Sequence, residues 1–163
     1  YIKKVILILV ILYKKGVVYM KNNTAIISKV IDFIEGHLTA EESLDLDKIA
    51  DMANYSKYHL HRMFSNIVGC TIHQYIQKRR LTEAAYELVY TDNSIIYISL
   101  NSGYETQQSF TLAFKGLYGE SPQAYRKKQE FLPIQLRFET QAVKNISSYT
   151  KLTMNCEVKA AWV

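Results

Sequence analysis

From residue 24 onward, apolar residues recur every three or four positions, the spacing of one buried face of an α-helix. Ile26, Ile27, Val30, Ile31, Ile34 and Leu38 mark a first helix, with Thr24 as its N-cap and Gly36 near its end. The polar stretch Thr39–Ser43 breaks the pattern. Asp45 then caps a short helix that turns Leu46, Ile49, Ala50 and Ala53 inward, and Asn54, a residue that tolerates the left-handed backbone, closes it. Ser56 caps a third helix with Leu60, Met63, Phe64 and Ile67 inward and Gly69 at its end. A long helix follows from Thr71 to about Tyr90, carrying Tyr75, Ile76, Leu81, Ala84, Ala85 and Leu88 on its apolar side. Three shorter segments complete the series. One is capped by Ser94 and keeps Ile95, Ile98 and Ser102 inside. The next runs from about Thr106 to Tyr118 with Phe110, Ala113, Phe114 and Leu117 inside. The last opens with Ser121-Pro122, an N-cap followed by proline at the first helical position.

The pattern contains itself twice. At an offset of 50 residues Phe64 matches Phe114, Gly69 matches Gly119, Tyr75 matches Tyr125 and Lys78 matches Lys128. Just upstream the offset is 49: Ile49 matches Ile98, Asn54 matches Gly103 and Tyr55 matches Tyr104, so the register slips by one residue at Glu105. Two short helices joined by a turn of this length form a helix-turn-helix pattern. The predicted fold is therefore all-α, with about seven helices arranged as two helix-turn-helix units joined by a long linker helix. At 1.5 Å per residue that linker is roughly 28 Å long.

The two ends of the chain read differently. Val5–Tyr13 is an unbroken apolar run between lysine pairs, too short for a membrane-spanning helix of roughly 20 residues. Residues 1–20 are read as an N-terminal extension, with 1–19 either upstream of a natural start at Met20 or loosely attached. Residues 21–130 hold the helical repeat. Past residue 130, Ile134, Leu136 and Phe138 alternate with Gln135, Arg137 and Glu139, which predicts a short β-prone segment within residues 131–163.

Charge sharpens this picture more by its position than by its sum. The formal net charge is +5, but residues 21–130 are nearly balanced. Within them, Glu41, Glu42, Asp45, Asp47 and Asp51 cluster, and Ser56–Arg80 contains no acid while carrying Lys57, Arg62, Lys78, Arg79 and Arg80. An acid-free stretch of this kind suits a polyanion partner. The two cysteines, Cys70 and Cys156, build no disulfide framework and point to a reducing compartment. His37, His59, His61 and His73 lack ligand spacing with a third group, so no metal is expected. No phosphate-binding glycine loop or nucleophile-base arrangement occurs, so neither an enzyme nor a cofactor is predicted.

The outward positions of the two matching helices carry the candidate chemistry. On the first they are Lys57, Tyr58, His61, Arg62 and Ser65; on the second, Gln107, Gln108, Thr111, Leu112 and Lys115. Arginine can donate two hydrogen bonds to guanine in the major groove, and glutamine suits adenine. Threonine and leucine can meet a thymine methyl, while lysine, tyrosine and histidine can reach phosphates or base edges. Neither row contains an acid.

Residues 44–128 closely resemble the DNA-binding domain of the AraC/XylS family of bacterial transcription regulators, most nearly its MarA, SoxS and Rob group. The resemblance rests on Ser56-Lys57-Tyr58-His59-Leu60-His61-Arg62-Met63-Phe64 and on Gly103-Tyr104-Glu105-Thr106-Gln107-Gln108-Ser109-Phe110. Phe114-Lys115, Gly119-Glu120-Ser121-Pro122 and Tyr125-Arg126 complete it. It implies a cytoplasmic monomer that places two recognition helices in successive major-groove segments of double-stranded DNA and, as an activator, contacts RNA polymerase. Tyr58, His61 and Arg62 would face bases in the first unit, and Gln107, Gln108 and Thr111 in the second. The family commonly has Trp, Gln and Arg where this chain has Tyr58, His61 and Leu112. Residues 131–163 resemble the incomplete start of the effector-binding domain of Rob-type regulators, which implies a small-molecule effector in a longer form. An Ada-like methyl-transfer protein, the rival from the enzyme class, would need a cysteine-rich N-terminal module, and residues 1–43 have no cysteine.

Overall fold

The computed structural model describes residues 22–39 and 44–140. The extension at 1–20, the end of the chain past 140 and Cys156 lie outside them. The described residues fall into two units. The smaller includes 22–28 and 138–140, where the Thr140 hydroxyl donates to that of Ser28. The larger, residues 29–137, holds the repeat.

Seven helices occur among the described residues: α1 (22–36), α2 (Leu46–Ala53), α3 (Lys57–Val68), α4 (Ile72–Tyr90), α5 (Ile95–Asn101), α6 (Gln107–Tyr118) and α7 (Pro122–Lys128). Four of the predicted caps form, and Thr71 and Thr106, expected as the first residues of their helices, are caps as well. Asp45, Ser56, Thr71, Ser94, Thr106 and Ser121 each have extended backbone and accept a hydrogen bond from an N–H of the first turn. Thr71 and Gln74 add the reciprocal pair of a capping box. Thr24 is not a cap: the chain is already helical at residue 22, and Thr24 is buried inside α1.

The sequence repeat is also a repeat of packing. Phe64 meets Tyr75 edge-on at 5.7 Å, and fifty residues later Phe114 meets Tyr125 edge-on at 5.4 Å. Leu60 and Phe110 are both fully buried, as are Ile49 and Ile98. Gly69 and Gly119 end α3 and α6 with φ of 84° and 78°, in the left-handed region that glycine enters without a Cβ clash. The turns close alike, too. The Tyr55 N–H donates to the Ala50 carbonyl and the Tyr104 N–H to that of Ser99, each at 3.1 Å. Asn54 (φ 56°) and Gly103 (φ 80°) supply the left-handed residue. The slip of register is then local: one residue, Tyr55, separates Asn54 from the cap of α3, whereas Tyr104 and Glu105 separate Gly103 from the cap of α6.

The second half has a continuous core. Leu81, Ala84, Ala85, Leu88 and Val89 of α4 cluster with Ile98, Phe110, Phe114 and Tyr125. Burying each of the two Phe side chains contributes about 1.5–3 kcal/mol. Of the inward residues expected, Leu46, Ala53, Ile67, Ile95, Ala113 and Leu117 are only half-buried, as are Ile26 and Leu38 of the first helix.

The expected strand after residue 130 does not form; no described residue lies in a strand. The reason is visible in the backbone hydrogen bonds. The Leu132 N–H donates to the Tyr125 hydroxyl at 2.8 Å, and the Gln135 N–H donates to Thr82 Oγ1 at 3.2 Å. The Gln135 carbonyl accepts from the Arg79 guanidinium at 3.1 Å. Groups that a strand would offer to a neighbouring strand are taken by side chains of α4 and α7. Residues 131–137 thus form an irregular strap across α4, and Arg137 at its end pairs with Asp32 of α1.

Candidate nucleic-acid interface

The outward row of α3 begins one residue after its cap, because Ser56 fixes where the helix starts and Leu60, Met63 and Phe64 fix which side is buried. Lys57, Tyr58, His61 and Arg62 are exposed, and Tyr58 keeps 77% of its surface open to solvent. Lys57 pairs with Asp47 of α2, so an acid from the neighbouring helix does reach the edge of a face that its own sequence leaves free of acids. His59, beside this row, stacks on Tyr55 with ring centroids 5.1 Å apart. Ser65 does not belong to the exposed row. It is half-buried, and its hydroxyl is shielded without a hydrogen-bond partner among the described residues.

On α6, Thr106 and the buried pair Phe110 and Phe114 set the same start and the same orientation. Gln107, Gln108, Leu112 and Lys115 are exposed, Leu112 by 73%, and Thr111 is half-buried. Gln107, Gln108, Thr111 and Leu112 together line a shallow, open depression. The Thr111 hydroxyl donates to the Gln107 carbonyl at 2.7 Å. Neither α3 nor α6 has an acid in its first turn, so the positive ends of both helix dipoles are left for an anion.

The basic residues on and around these helices divide sharply in the structure. Arg79 is excluded. It is 7% exposed, and its guanidinium donates to Glu35 at 2.8 and 2.9 Å, to Glu83 at 2.6 Å and to the Gln135 carbonyl. Burial opposes its charge, but these carboxylates outweigh it and raise its pKa further. For Glu35, burial alone would raise the pKa; the bonds from Arg79 and Tyr75, with the charge of Arg79, more than reverse this and lower it. Arg80 is half-buried and donates to the Leu38 carbonyl. Arg126 donates to the carbonyls of Leu88 and Asn93, and Lys128 pairs with Glu120. Arg62, Lys115 and Lys127 have no such partner among the described residues, and all three are exposed. A buried ion pair is invisible to a local charge count, because Glu35 lies 44 positions before Arg79. Among the described residues, no three metal-ligating side chains lie together and no helix is long and apolar enough to cross a membrane.

This arrangement recurs in known proteins. A family model described as a helix-turn-helix domain matches residues 49–128. The transcriptional activator AarP of Providencia stuartii is 45% identical over 103 residues, which are 63% of this chain and 75% of AarP. The transcriptional regulator Rob of Salmonella typhimurium is 38% identical over 116 residues, covering 71% of this chain but 39% of Rob. Among solved structures, the C-terminal domain of AraT, a response regulator from Geobacillus stearothermophilus, is 29% identical with a TM-score of 0.60. The match covers 70% of this chain and 93% of that domain. The DNA-binding domain of AdpA, solved with a target DNA, shares the fold at 24% identity and a TM-score of 0.57, over 63% of this chain and 90% of that one.

Proposed function

The chain belongs to the AraC/XylS family of DNA-binding transcription regulators, and from that premise we propose that it is a sequence-specific activator reading two adjacent half-sites of duplex DNA. The observation that carries the reading is the pairing of α3 with α6. The two helices are capped and buried alike, their first turns carry no acid, and each presents an exposed row of base- or phosphate-contacting residue types. On this reading residues 21–130 are the DNA-binding domain. Tyr58, His61 and Arg62 meet bases in one half-site, and Gln107, Gln108, Thr111 and Leu112 in the other. Lys57 and Lys115 serve the flanking phosphates. Ser65 drops out of the base-reading set, because its hydroxyl is shielded. AarP, named as an activator, supports activation, which we assign to contact with RNA polymerase by a protein bound as a monomer.

Two recognition helices joined by one rigid helix fix the distance between half-sites at about one DNA turn, near 10 base pairs. A footprint on a selected duplex should therefore cover two adjacent half-sites for one molecule of protein. Inserting five base pairs between them turns one half-site to the opposite side of the helix and should abolish specific binding. Binding that survives the insertion unchanged would show that the two units do not read DNA together.

A further inference from the structure

We propose that α6 recognises thymine through its 5-methyl group, with Leu112 and the methyl of Thr111 as the reading surface and Gln107 and Gln108 seating it on the neighbouring base edge. This rests on the reading that α6 enters a major groove, and it narrows what that helix selects there.

Three observations converge on the same four residues. Gln107, Gln108, Thr111 and Leu112 line one open depression and form its whole rim. Leu112 is 73% exposed, so folding gives it almost nothing. An apolar side chain left this open in an otherwise polar row gains its burial from a partner. The Thr111 hydroxyl spends its proton on the Gln107 carbonyl at 2.7 Å. It can still accept a hydrogen bond, but it cannot donate one to a phosphate. What Thr111 has left to present is its methyl group.

The equivalent positions on α3 make the contrast. His61 stands where α6 has Thr111, and Arg62 where it has Leu112. Both α3 residues bring polar N–H groups to an exposed surface; both α6 residues bring carbon. In the major groove, thymine is the base distinguished by a methyl group, and uracil pairs with adenine identically without it. A surface of two methyl-bearing side chains flanked by amides therefore selects A·T pairs by apolar contact, with the amides free to bond adenine.

The experiment uses the full chain and a duplex chosen by selection from random sequence. Each thymine in the half-site protected by α6 is replaced in turn by uracil, and affinity is measured at fixed salt. One or two replacements should weaken binding by about three- to fivefold each, the value of one buried methyl group. Uracil in the other half-site should have a smaller effect. In Leu112→Ala, whose position is too exposed to disturb the fold, the uracil penalty at the contacted thymine should vanish; in Leu112→Met it should persist. If uracil is tolerated throughout the half-site while selective duplex binding remains, α6 does not read methyl groups and the inference fails alone. If the chain selects no duplex at all, the reading of the protein as a sequence-specific regulator fails, and this inference with it.

Discussion

The two helix-turn-helix units share their buried halves and differ in their exposed ones. Leu60 and Phe110, Phe64 and Phe114, Tyr75 and Tyr125 occupy matching places, and both terminal glycines take the same left-handed backbone. The outward rows share little beyond a lysine each: an arginine, a phenol and an imidazole on α3, and two amides, a threonine and a leucine on α6. Packing leaves little room for variation, because a change of one methylene in a close-packed core is felt by every neighbour. The exposed rows make few contacts with the rest of the molecule, the Lys57–Asp47 pair among them, and can change more freely. One scaffold therefore supports two reading heads of different chemistry.

The units also differ in how they are fastened to α4, and the largest expected effect tests that difference. Glu35 of α1 meets Arg79 in a nearly buried pair, whereas Arg126 of α7 holds α4 through the Leu88 carbonyl and the loop after it through that of Asn93. Removing Glu35 leaves the buried Arg79 with Glu83 and the Gln135 carbonyl alone, so Glu35→Ala should destabilise the fold by about 3 kcal/mol in denaturant titration. Arg126→Ala loses hydrogen bonds at a half-exposed site and should cost about 1 kcal/mol. Equal losses would mean that the two fastenings do not differ in kind. The first fastening should also respond to acid. The Glu35 carboxyl lies below its ordinary 4.5 in the folded chain, so unfolding takes up a proton at low pH. Its contribution is complete above about pH 4.5 and is lost as pH falls through the lowered folded value. Glu35→Gln should be less stable at neutral pH and show a flatter acid limb. An unchanged limb would remove Glu35 from the explanation.

Much of the scaffold could be read directly from local sequence. Four helix caps, two helix-ending glycines and the internal repeat are each written within a few residues, or in an offset that the eye can check. The outward rows followed from the same periodicity, with Ser65 the exception. Periodicity puts it within the outward arc, and its half-burial depends on neighbours that periodicity does not describe. Arg79 and the strap were not legible for a different reason. Both depend on contacts across 44 to 56 positions of sequence. A buried arginine and a surface one look alike until the partner is known, and the alternation of Ile134, Leu136 and Phe138 suggests a strand until α4 is seen to take its backbone hydrogen bonds.

Smaller effects sharpen the contrast between reading heads. Arg62→Ala should weaken binding to a selected duplex by about 1–3 kcal/mol and relax preference at one base pair. Leu112→Ala should cost less than about 1 kcal/mol, because only apolar contact is at stake. Affinity measured over a range of salt separates the two further. The unaltered chain should show a slope of log affinity against log salt of roughly −4 to −5 if about five phosphates are neutralised. Arg62→Ala should flatten it, Leu112→Ala should leave it alone, and Leu112→Arg should steepen it. A Leu112→Ala loss as large as that of Arg62→Ala would reverse the roles given to the two helices.

The strap of residues 131–137 sets the limits within which the domain can be excised. The span that the family model matches, residues 49–128, leaves out both Glu35 and Gln135 while retaining Arg79, the side chain that they satisfy. It also leaves out Asp32 and Arg137, which join the strap to α1. A polypeptide cut at those borders would keep both recognition helices and their caps, yet would hold a guanidinium in an apolar setting with one carboxylate in place of two. The stretch that the family model matches and the stretch that packs as one unit are therefore not the same length. The folding unit reaches back to α1 and forward to Arg137, and a transplant of these reading heads into another protein has to carry both borders with it.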